Sequence, residues 1–196
     1  MIIFQKQISK NISVAVWQIE ESEEFFWNIL HLLPKDELKI KNVKLQQIRL
    51  QKLACRAALA KLLGNNEIEI TYSETGQPLL KDHHISFSHT KNTVAVALAN
   101  IPVGIDIEEL NPRILKLYAR FMNSQEIADC DVHSLQNLYY YWCAKEAMYK
   151  WFAEKKIDFI EDLVVYKNEK KGVICKTQEL QLIEFLLENK LGVMCC

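Results

Sequence analysis

Two short segments in the second half of the chain contain residues that could bind a divalent cation. In the first, VGIDIEE (residues 103–109), side chains alternate along an extended backbone, so Asp106 and Glu108 point to one side. Two carboxylates about 7 Å apart on one face, beside the small Gly104, suit a hard cation that keeps some of its water. An acidic strand end exposed to solvent would give the same pattern, so the doublet by itself leaves both explanations open.

The second segment, WCAKEAMYK (residues 142–150), places a third carboxylate between two lysines. In a helix, positions 142, 145, 146, 149 and 150 share one face, which predicts that Lys145, Glu146 and Lys150 lie together opposite an apolar face. Ordinary lysine–glutamate pairs on a solvated helix are the alternative. Together, the two segments predict a magnesium site for a pyrophosphate substrate, with Asp106, Glu108 and Glu146 as the metal ligands.

A serine and a histidine, Ser88 and His89, follow a short apolar run in the first half of the chain. A lone histidine is more often structural than catalytic. His83 and His84 come shortly before it, but neighbouring histidines point in different directions, and no cysteine or histidine completes a tetrahedral zinc set. The sequence therefore does not predict a zinc site.

The elements that must position these residues follow from hydrophobic periodicity and turn signals. We predict helices over residues 23–33, from Asp36 or later to Leu63, and over 113–121, 124–129 and 134–153. We predict strands over residues 12–19, 68–72, 84–87, 93–99, 103–108, 163–166, 173–175, 180–187 and 191–195. Asn123, with Glu126 three residues later, predicts a capping box for helix 124–129. The sharpest seam, at residues 100–102, predicts an N-terminal lobe over 1–101 and a C-terminal lobe over 102–196 that carries the magnesium site.

Composition limits the class of protein. The chain has 196 residues, 49% of them hydrophobic, which is enough apolar material for one substantial domain or two small ones. No apolar run approaches the roughly 18 residues of a membrane helix, and the first residues lack the pattern of a secretory signal. We therefore expect a cytoplasmic protein without membrane contact. The six scattered cysteines have no CxxC spacing and are expected to be free thiols.

Charge is nearly balanced, with a net charge of −1, which argues against a general nucleic-acid binder. Basic residues nevertheless concentrate in the predicted helix that ends at Leu63. They are Lys35, Lys39, Lys41, Lys44, Arg49, Lys52, Arg56 and Lys61. This stretch is either a solvated helix face or a pocket wall or docking surface for an anionic partner.

The order and separation of five motifs, TGQPLL, ISFSHT, VGIDIEE, FMNSQE and WCAKEAMYK, resemble the 4′-phosphopantetheinyl transferases of the surfactin-synthetase-activating type. The matching positions are Gly76, Pro78, Ser88, His89, residues 104–108, Phe121, Glu126 and residues 142–150. The resemblance implies an α+β fold of two similar lobes that form a pseudo-dimer, each with a small antiparallel sheet and a long helix. It also implies a monomer whose active site lies at the lobe seam.

The resemblance further implies a reaction and its participants. Such enzymes move the phosphopantetheine arm of coenzyme A onto a serine of an acyl or peptidyl carrier protein, in fatty acid, polyketide or nonribosomal peptide biosynthesis. They need Mg²⁺ and release adenosine 3′,5′-bisphosphate. Carrier proteins are acidic around that serine, so a basic and apolar surface would favour their docking. The alternatives are a coenzyme A-binding regulatory module with little or no transfer activity, and another magnesium-dependent phosphoryl-transfer enzyme.

Roles for individual residues follow from the same resemblance. Glu146 is the candidate base, directly or through a metal-bound water, and Asp106 and Lys150 complete the catalytic set. Coenzyme A is expected to contact Lys39, Gly76, Gln77, Pro78, Ser88, His89, Lys145 and Lys150. Within this set, Lys145 and Lys150 are expected to contact its phosphates. Ser88 and His89 are expected near its 3′-phosphate, and Lys39 near its nucleotide. Glu126 is expected to brace the second lobe, and Trp142 to pack behind the site. Gln77 stands where the family has a lysine, which predicts weaker coenzyme A binding rather than lost catalysis.

Overall fold

The computed structural model describes residues 1–153 and 156–196, and the chain divides into two units, Met1–Pro102 and Val103–Cys196. Each unit combines an antiparallel sheet with one 18-residue helix. The predicted α+β class is therefore confirmed. Within the described ranges, no helix is both long enough and apolar enough to cross a membrane.

The first unit is a four-stranded sheet covered by a long helix. Its helices are α1 (Glu23–Ile29), α2 (Pro34–Lys41) and α3 (Gln46–Leu63). Its strands are β1 (Ile2–Ser9), β2 (Ile12–Gln18), β3 (His31–Leu32), β4 (Glu67–Ile68), β5 (Ile70–Tyr72), β6 (Pro78–Leu80), β7 (His84–His89) and β8 (Thr93–Ala99). The main sheet has the order β1-β2-β8-β7, while β3 pairs with β4 and β5 pairs with β6.

Helix α3 covers this sheet because its alanines and leucines face the inner strands. Leu53 and Ala57 are buried in the same core as Val94 and Val96 of β8. The helix ends at Gly64, which adopts the left-handed conformation (φ 67°) and donates its N–H to Ala60. The predicted stop after Leu63 is thus confirmed.

The helix predicted from Asp36 or later to Leu63 begins only at Gln46, because the chain breaks between α2 and α3. The Arg49 guanidinium explains the break. It donates to the carbonyls of Val43 (2.8 Å) and Lys44 (3.0 Å), which a continuous helix would bond internally, and it also forms a two-pronged ion pair with Glu23. A side chain therefore stabilises the turn that separates the two helices.

The basic residues of this region do not form one continuous surface. Arg56 is buried and forms a two-pronged ion pair with the equally buried Asp36, at 2.6 and 2.7 Å. Arg49 pairs with Glu23, and Lys41 pairs with Glu37 on its own helix. Three of the eight positive charges that the sequence concentrates here are thus balanced within the unit.

The second unit has a five-stranded sheet covered by the helix that carries the WCAKEAMYK motif. Its helices are α4 (Ser124–Asp129) and α5 (Leu135–Phe152). Its strands are β9 (Gly104–Glu109), β10 (Leu163–Tyr166), β11 (Lys171–Ile174), β12 (Gln178–Leu187) and β13 (Lys190–Cys195). All neighbours in the order β10-β11-β12-β13-β9 are antiparallel. Instead of the helix predicted over 113–121, the chain forms two 3₁₀ helices, Pro112–Lys116 and Tyr118–Arg120.

Candidate active site

The candidate site is built where β9 and α5 pack unusually close together. A Cβ atom added to Gly104 would lie 1.9 Å from the backbone oxygen of Ala147, so only glycine permits this approach. Along β9, Ile105 and Ile107 are fully buried in the unit, and Asp106 and Glu108 alternate with them, as the sequence predicts. The close packing therefore brings the carboxylates of β9 beside the polar side chains of α5.

Lys150 of α5 is bonded directly to Asp106. Its Nζ donates to Asp106 Oδ1 at 2.7 Å and to the Ile105 carbonyl at 3.0 Å. The Asp106 side chain is almost fully buried, whereas Lys150 keeps about a quarter of its surface exposed, with 6% and 28% of the side chains accessible. The ammonium thus neutralises part of an otherwise acidic cluster while one side of it still faces solvent.

Trp142 holds the second carboxylate. Its indole Nε1 donates to Glu108 Oε1 at 3.1 Å. The indole is itself fixed by ring contacts with Phe121 (centroids 5.1 Å apart) and Phe159 (5.9 Å). Trp142 therefore packs beside the site, as expected from the motif, and it also orients Glu108, a role that was not predicted.

The acidic side chains interact electrostatically, which shifts their titration. Burial raises the pKa of Glu146 to about 7; repulsion from Asp106 adds to the rise, and Lys150 opposes it. Burial, followed by repulsion from Asp106, also raises the pKa of Glu108, although the Trp142 hydrogen bond works against this. Glu108 and Glu146 are thus harder to ionise because they are buried and lie near other negative charge, and a cation would relieve that repulsion.

The donor set matches the chemistry of Mg²⁺, since Asp106, Glu108 and Glu146 supply only carboxylate oxygens in a partly buried, mutually repelling group. Among residues 1–153 and 156–196, however, no three acidic, histidine or cysteine side chains stand in a finished metal-binding arrangement. Lys150, which holds Asp106 Oδ1, is the cation that already lies beside these carboxylates.

Lys145 does not lie on the open face with Glu146, so that part of the predicted pattern is wrong. Its side chain is fully buried, and its Nζ lies 2.7 Å from Glu126 Oε2 and donates to the Phe159 carbonyl at 2.7 Å. The ammonium is therefore turned into the protein and is not presented to a phosphate. Burial lowers the pKa of Lys145, and the Glu126 charge opposes that change.

Glu126 braces the unit, as expected from sequence. It forms the predicted capping box with Asn123 at the start of α4, and its Oε1 accepts the Val165 N–H at 2.8 Å. Together with Lys145, it connects α4, α5, β10 and the Phe159 segment. The sequence did contain a signal that Lys145 is buried. Lys145 has the spacing of a buried helical stripe with Leu138, Tyr141 and Met148, which are all core residues.

A cavity of about 640 Å³ opens beside the carboxylates within the second unit. Glu108 and Glu146 lie in its wall, and the two exposed arginines Arg113 and Arg120 line it together with an apolar surface. The other lining residues are Ile114, Leu117, Phe121, Tyr139, Trp142 and Phe159. The two arginines are not among the predicted site residues; they lie in the two 3₁₀ segments that form in place of the predicted helix.

In the first unit, the structure groups several of the predicted coenzyme A residues. Tyr72 and Pro78 are paired residues of the β5–β6 hairpin, and the turn between them contains Gly76 (φ 86°) and Gln77. The exposed Lys39 of α2 places its Nζ 5.3 Å from the centre of the Tyr72 ring. Lys39 and the hairpin that carries Gly76, Gln77 and Pro78 are thus close together, with Tyr72 joining them.

Ser88 and His89 lie at the end of β7, paired with Ala95 and Val94 of β8. Because strand side chains alternate, they point to opposite faces of the sheet: Ser88 is buried and His89 is exposed. A side chain on one face of this sheet therefore shares that face with Ser88 or with His89, but not with both.

Comparison with known proteins agrees with the motifs. Residues 102–188 match the model of the 4′-phosphopantetheinyl transferase superfamily. A 4′-phosphopantetheinyl transferase of Bacillus subtilis is 32% identical over 104 residues, which cover 48% of this chain and 46% of that protein. The 4′-phosphopantetheinyl transferase gsp of Aneurinibacillus migulanus is 28% identical over 117 residues, covering 57% and 49%. The 4′-phosphopantetheinyl transferase Sfp of Bacillus subtilis strain 168 is 32% identical over 95 residues, covering 45% and 42%. The chain thus spans about half the length of the curated relatives it matches.

Proposed function

We propose, from the match of residues 102–188 to the model of the 4′-phosphopantetheinyl transferase superfamily, that the chain transfers phosphopantetheine from coenzyme A to a serine of a carrier protein. The observation that carries the proposal is the cluster on β9 and α5, where Asp106, Glu108 and Glu146 lie within electrostatic reach of Lys150. Acidic oxygens beside an ammonium are the groups that a metal-assisted reaction at a pyrophosphate requires.

Asp106, Glu108 and Glu146 would hold the Mg²⁺ ion. When bound, the ion would neutralise pyrophosphate charge and favour departure of the nucleotide. Lys150 would add positive charge at the phosphates, since it reaches Asp106 while part of its surface faces solvent. Lys145 is left out of this assignment because its ammonium is already engaged with Glu126 and Phe159.

The transfer exchanges one phosphorus–oxygen bond for another. The serine Oγ of the carrier bonds to the phosphorus next to the pantetheine, and the bond from that phosphorus to the bridging oxygen breaks. Adenosine 3′,5′-bisphosphate leaves with that oxygen. Glu146 is the candidate acceptor of the serine proton, because its carboxylate would lie next to the reacting phosphate.

The cavity next to Glu108 and Glu146 is the proposed approach for the acceptor. Its apolar wall fits the hydrophobic part of a carrier surface, and Arg113 and Arg120 fit acidic residues around the serine.

The proposed contacts for the nucleotide end of coenzyme A belong to the first unit. They are Lys39, Gly76, Gln77, Pro78, Ser88 and His89. A monomeric state and a cytoplasmic location are part of the same proposal.

The proposal is tested by incubating the protein with coenzyme A, Mg²⁺ and a panel of apo carrier proteins, followed by intact mass measurement. Transfer adds about 340 Da to the carrier, the mass of the arm joined through a phosphodiester. The gain should depend on Mg²⁺, disappear in Glu146→Gln, and persist in Glu179→Gln, a control that neutralises an exposed carboxylate on β12.

Two other results would change the conclusion. Binding of coenzyme A without a mass gain on any carrier would favour the regulatory-module alternative. An undiminished gain in Glu146→Gln would remove that residue from the proposed mechanism.

A further inference from the structure

Lys39, one of the candidate nucleotide residues of the first unit, lies on a helix that a buried ion pair joins to α3. Asp36 and Arg56 are both buried and are joined by two hydrogen bonds of 2.7 Å or less. The guanidinium also donates to the carbonyl of Lys52 at 2.9 Å. Because its donors are held on several sides, Arg56 is a rigid anchor between α2 and α3.

Tyr72 connects this anchor to the surface. Its hydroxyl accepts from Arg56 Nη2 at 3.3 Å, while its ring lies 5.3 Å beneath the Lys39 ammonium. Lys39 lies on α2, the helix that also contributes Asp36, so the contacts form a closed circuit of Asp36, Arg56, Tyr72 and Lys39. Tyr72 is also the hairpin partner of Pro78, which follows Gln77.

This circuit restrains a side chain that would otherwise move freely. An exposed lysine has many rotamers, and fixing one of them on binding costs free energy. A ring placed under the ammonium holds the charge near one position before any ligand arrives. The result is a prepositioned cation beside the turn that contains Gly76 and Gln77, a geometry that fits a phosphorylated nucleotide.

We propose that Tyr72 is a positioning residue that holds the Lys39 ammonium for the phosphorylated nucleotide end of coenzyme A. The inference rests on the proposed function, because it takes the nucleotide as the ligand of Lys39. Tyr72 lies outside all five sequence motifs. The Tyr72 ring holds the Lys39 ammonium, and the Tyr72 hydroxyl only fixes the position of the ring through its hydrogen bond with Arg56.

Titration calorimetry of the full chain with coenzyme A, and separately with adenosine 3′,5′-bisphosphate, tests this role. Tyr72→Leu should weaken the binding of both ligands by about 3- to 10-fold, the range expected for a lost cation–ring contact that aligns a ligand-binding charge. Tyr72→Phe keeps the ring and should stay within about twofold of the original affinity. In transfer assays the KM for coenzyme A should rise in Tyr72→Leu while kcat stays unchanged.

The chain offers a matched control in its second unit. Lys171 Nζ lies 5.1 Å from the centre of the Tyr166 ring, and Tyr166 is exposed to a similar extent as Tyr72. Tyr166→Leu removes the same type of contact on β10, which lies at the opposite sheet edge from β9 and carries none of the proposed ligand contacts, so the affinity should not change. A melting temperature measured for each variant separates a binding defect from loss of fold.

A double-variant cycle decides whether Tyr72 acts through Lys39. In a Lys39→Met background, Tyr72→Leu should cause no further loss of affinity, because the charge that it positions is gone. Additive losses, or unchanged affinity in Tyr72→Leu, would overturn the inference. If the unmodified chain binds neither ligand, the proposed function fails instead, so the two failures are distinguishable.

Discussion

Replacing Lys145 with methionine distinguishes an internal ion pair from a phosphate-binding lysine. Methionine keeps much of the length and apolar stem of the side chain but removes the charge. Glu126 would keep the N–H groups of Asn123 and Val165 as donors, yet it would become a buried carboxylate without a counter-charge. Breaking one partner of a buried pair costs about 3–5 kcal/mol of unfolding free energy. That is a large part of the stability of an ordinary domain.

Urea denaturation followed by tryptophan fluorescence measures this loss. Lys41→Met is the control, because Lys41 forms an exposed pair with Glu37 on one helix and lies over the Trp27 ring, and its removal should cost at most about 1 kcal/mol. The double variant Glu126→Gln/Lys145→Met removes both charges and should be more stable than the sum of the single losses predicts. It also keeps the experiment informative if Lys145→Met alone does not fold.

A loss below about 1 kcal/mol for Lys145→Met, similar to that of the control, would refute the reasoning. The lysine would then be available to solvent, as the sequence pattern first indicated. Under the structural assignment, a folded Lys145→Met protein should bind coenzyme A with nearly unchanged affinity. Lys150→Met should show the opposite behaviour, with weaker coenzyme A binding and a smaller loss of stability, because Lys150 is partly exposed.

Three further changes test the site. Gly104→Ala places a Cβ against the Ala147 oxygen, so urea denaturation should show a loss of about 3 kcal/mol, and a loss near zero would mean that β9 and α5 are less closely packed than described. The pKa of Glu146 is raised from 4.5 to about 7, so without metal the folded state holds this proton more tightly and stability should fall as pH rises between these values. Melting curves should show that Glu146→Gln flattens this dependence and that Mg²⁺ stabilises the unmodified chain more at pH 8 than at pH 6; equal slopes would contradict the assignment. Gln77→Lys should lower the KM for coenzyme A by about fivefold, and an unchanged or higher KM would remove the proposed role of this position.

Much of the fold was predictable because periodicity and cap signals are local. The strand at residues 93–99, the capped helix at 124–129 and the strand at 163–166 match their predicted bounds. The prediction was wrong where distant residues decide the backbone, as at the break between α2 and α3 that Arg49 stabilises through Val43 and Lys44. It also missed β1, an edge strand whose alternation is weak because most of its residues are exposed.

Some features of the candidate site were likewise predictable from the sequence, and others depend on the tertiary structure. The sequence by itself determined that Asp106 and Glu108 share one side of a strand, and that Glu146 and Lys150 follow on a helix, because both depend only on the repeat of a single element. Only the tertiary structure decided that Lys145 turns inward to Glu126, that Trp142 holds Glu108, and that Tyr72 lies under Lys39. The periodicity of a helix or strand predicts the direction in which each side chain points from that element. The partner that it meets belongs to another part of the chain, and packing brings that partner into place.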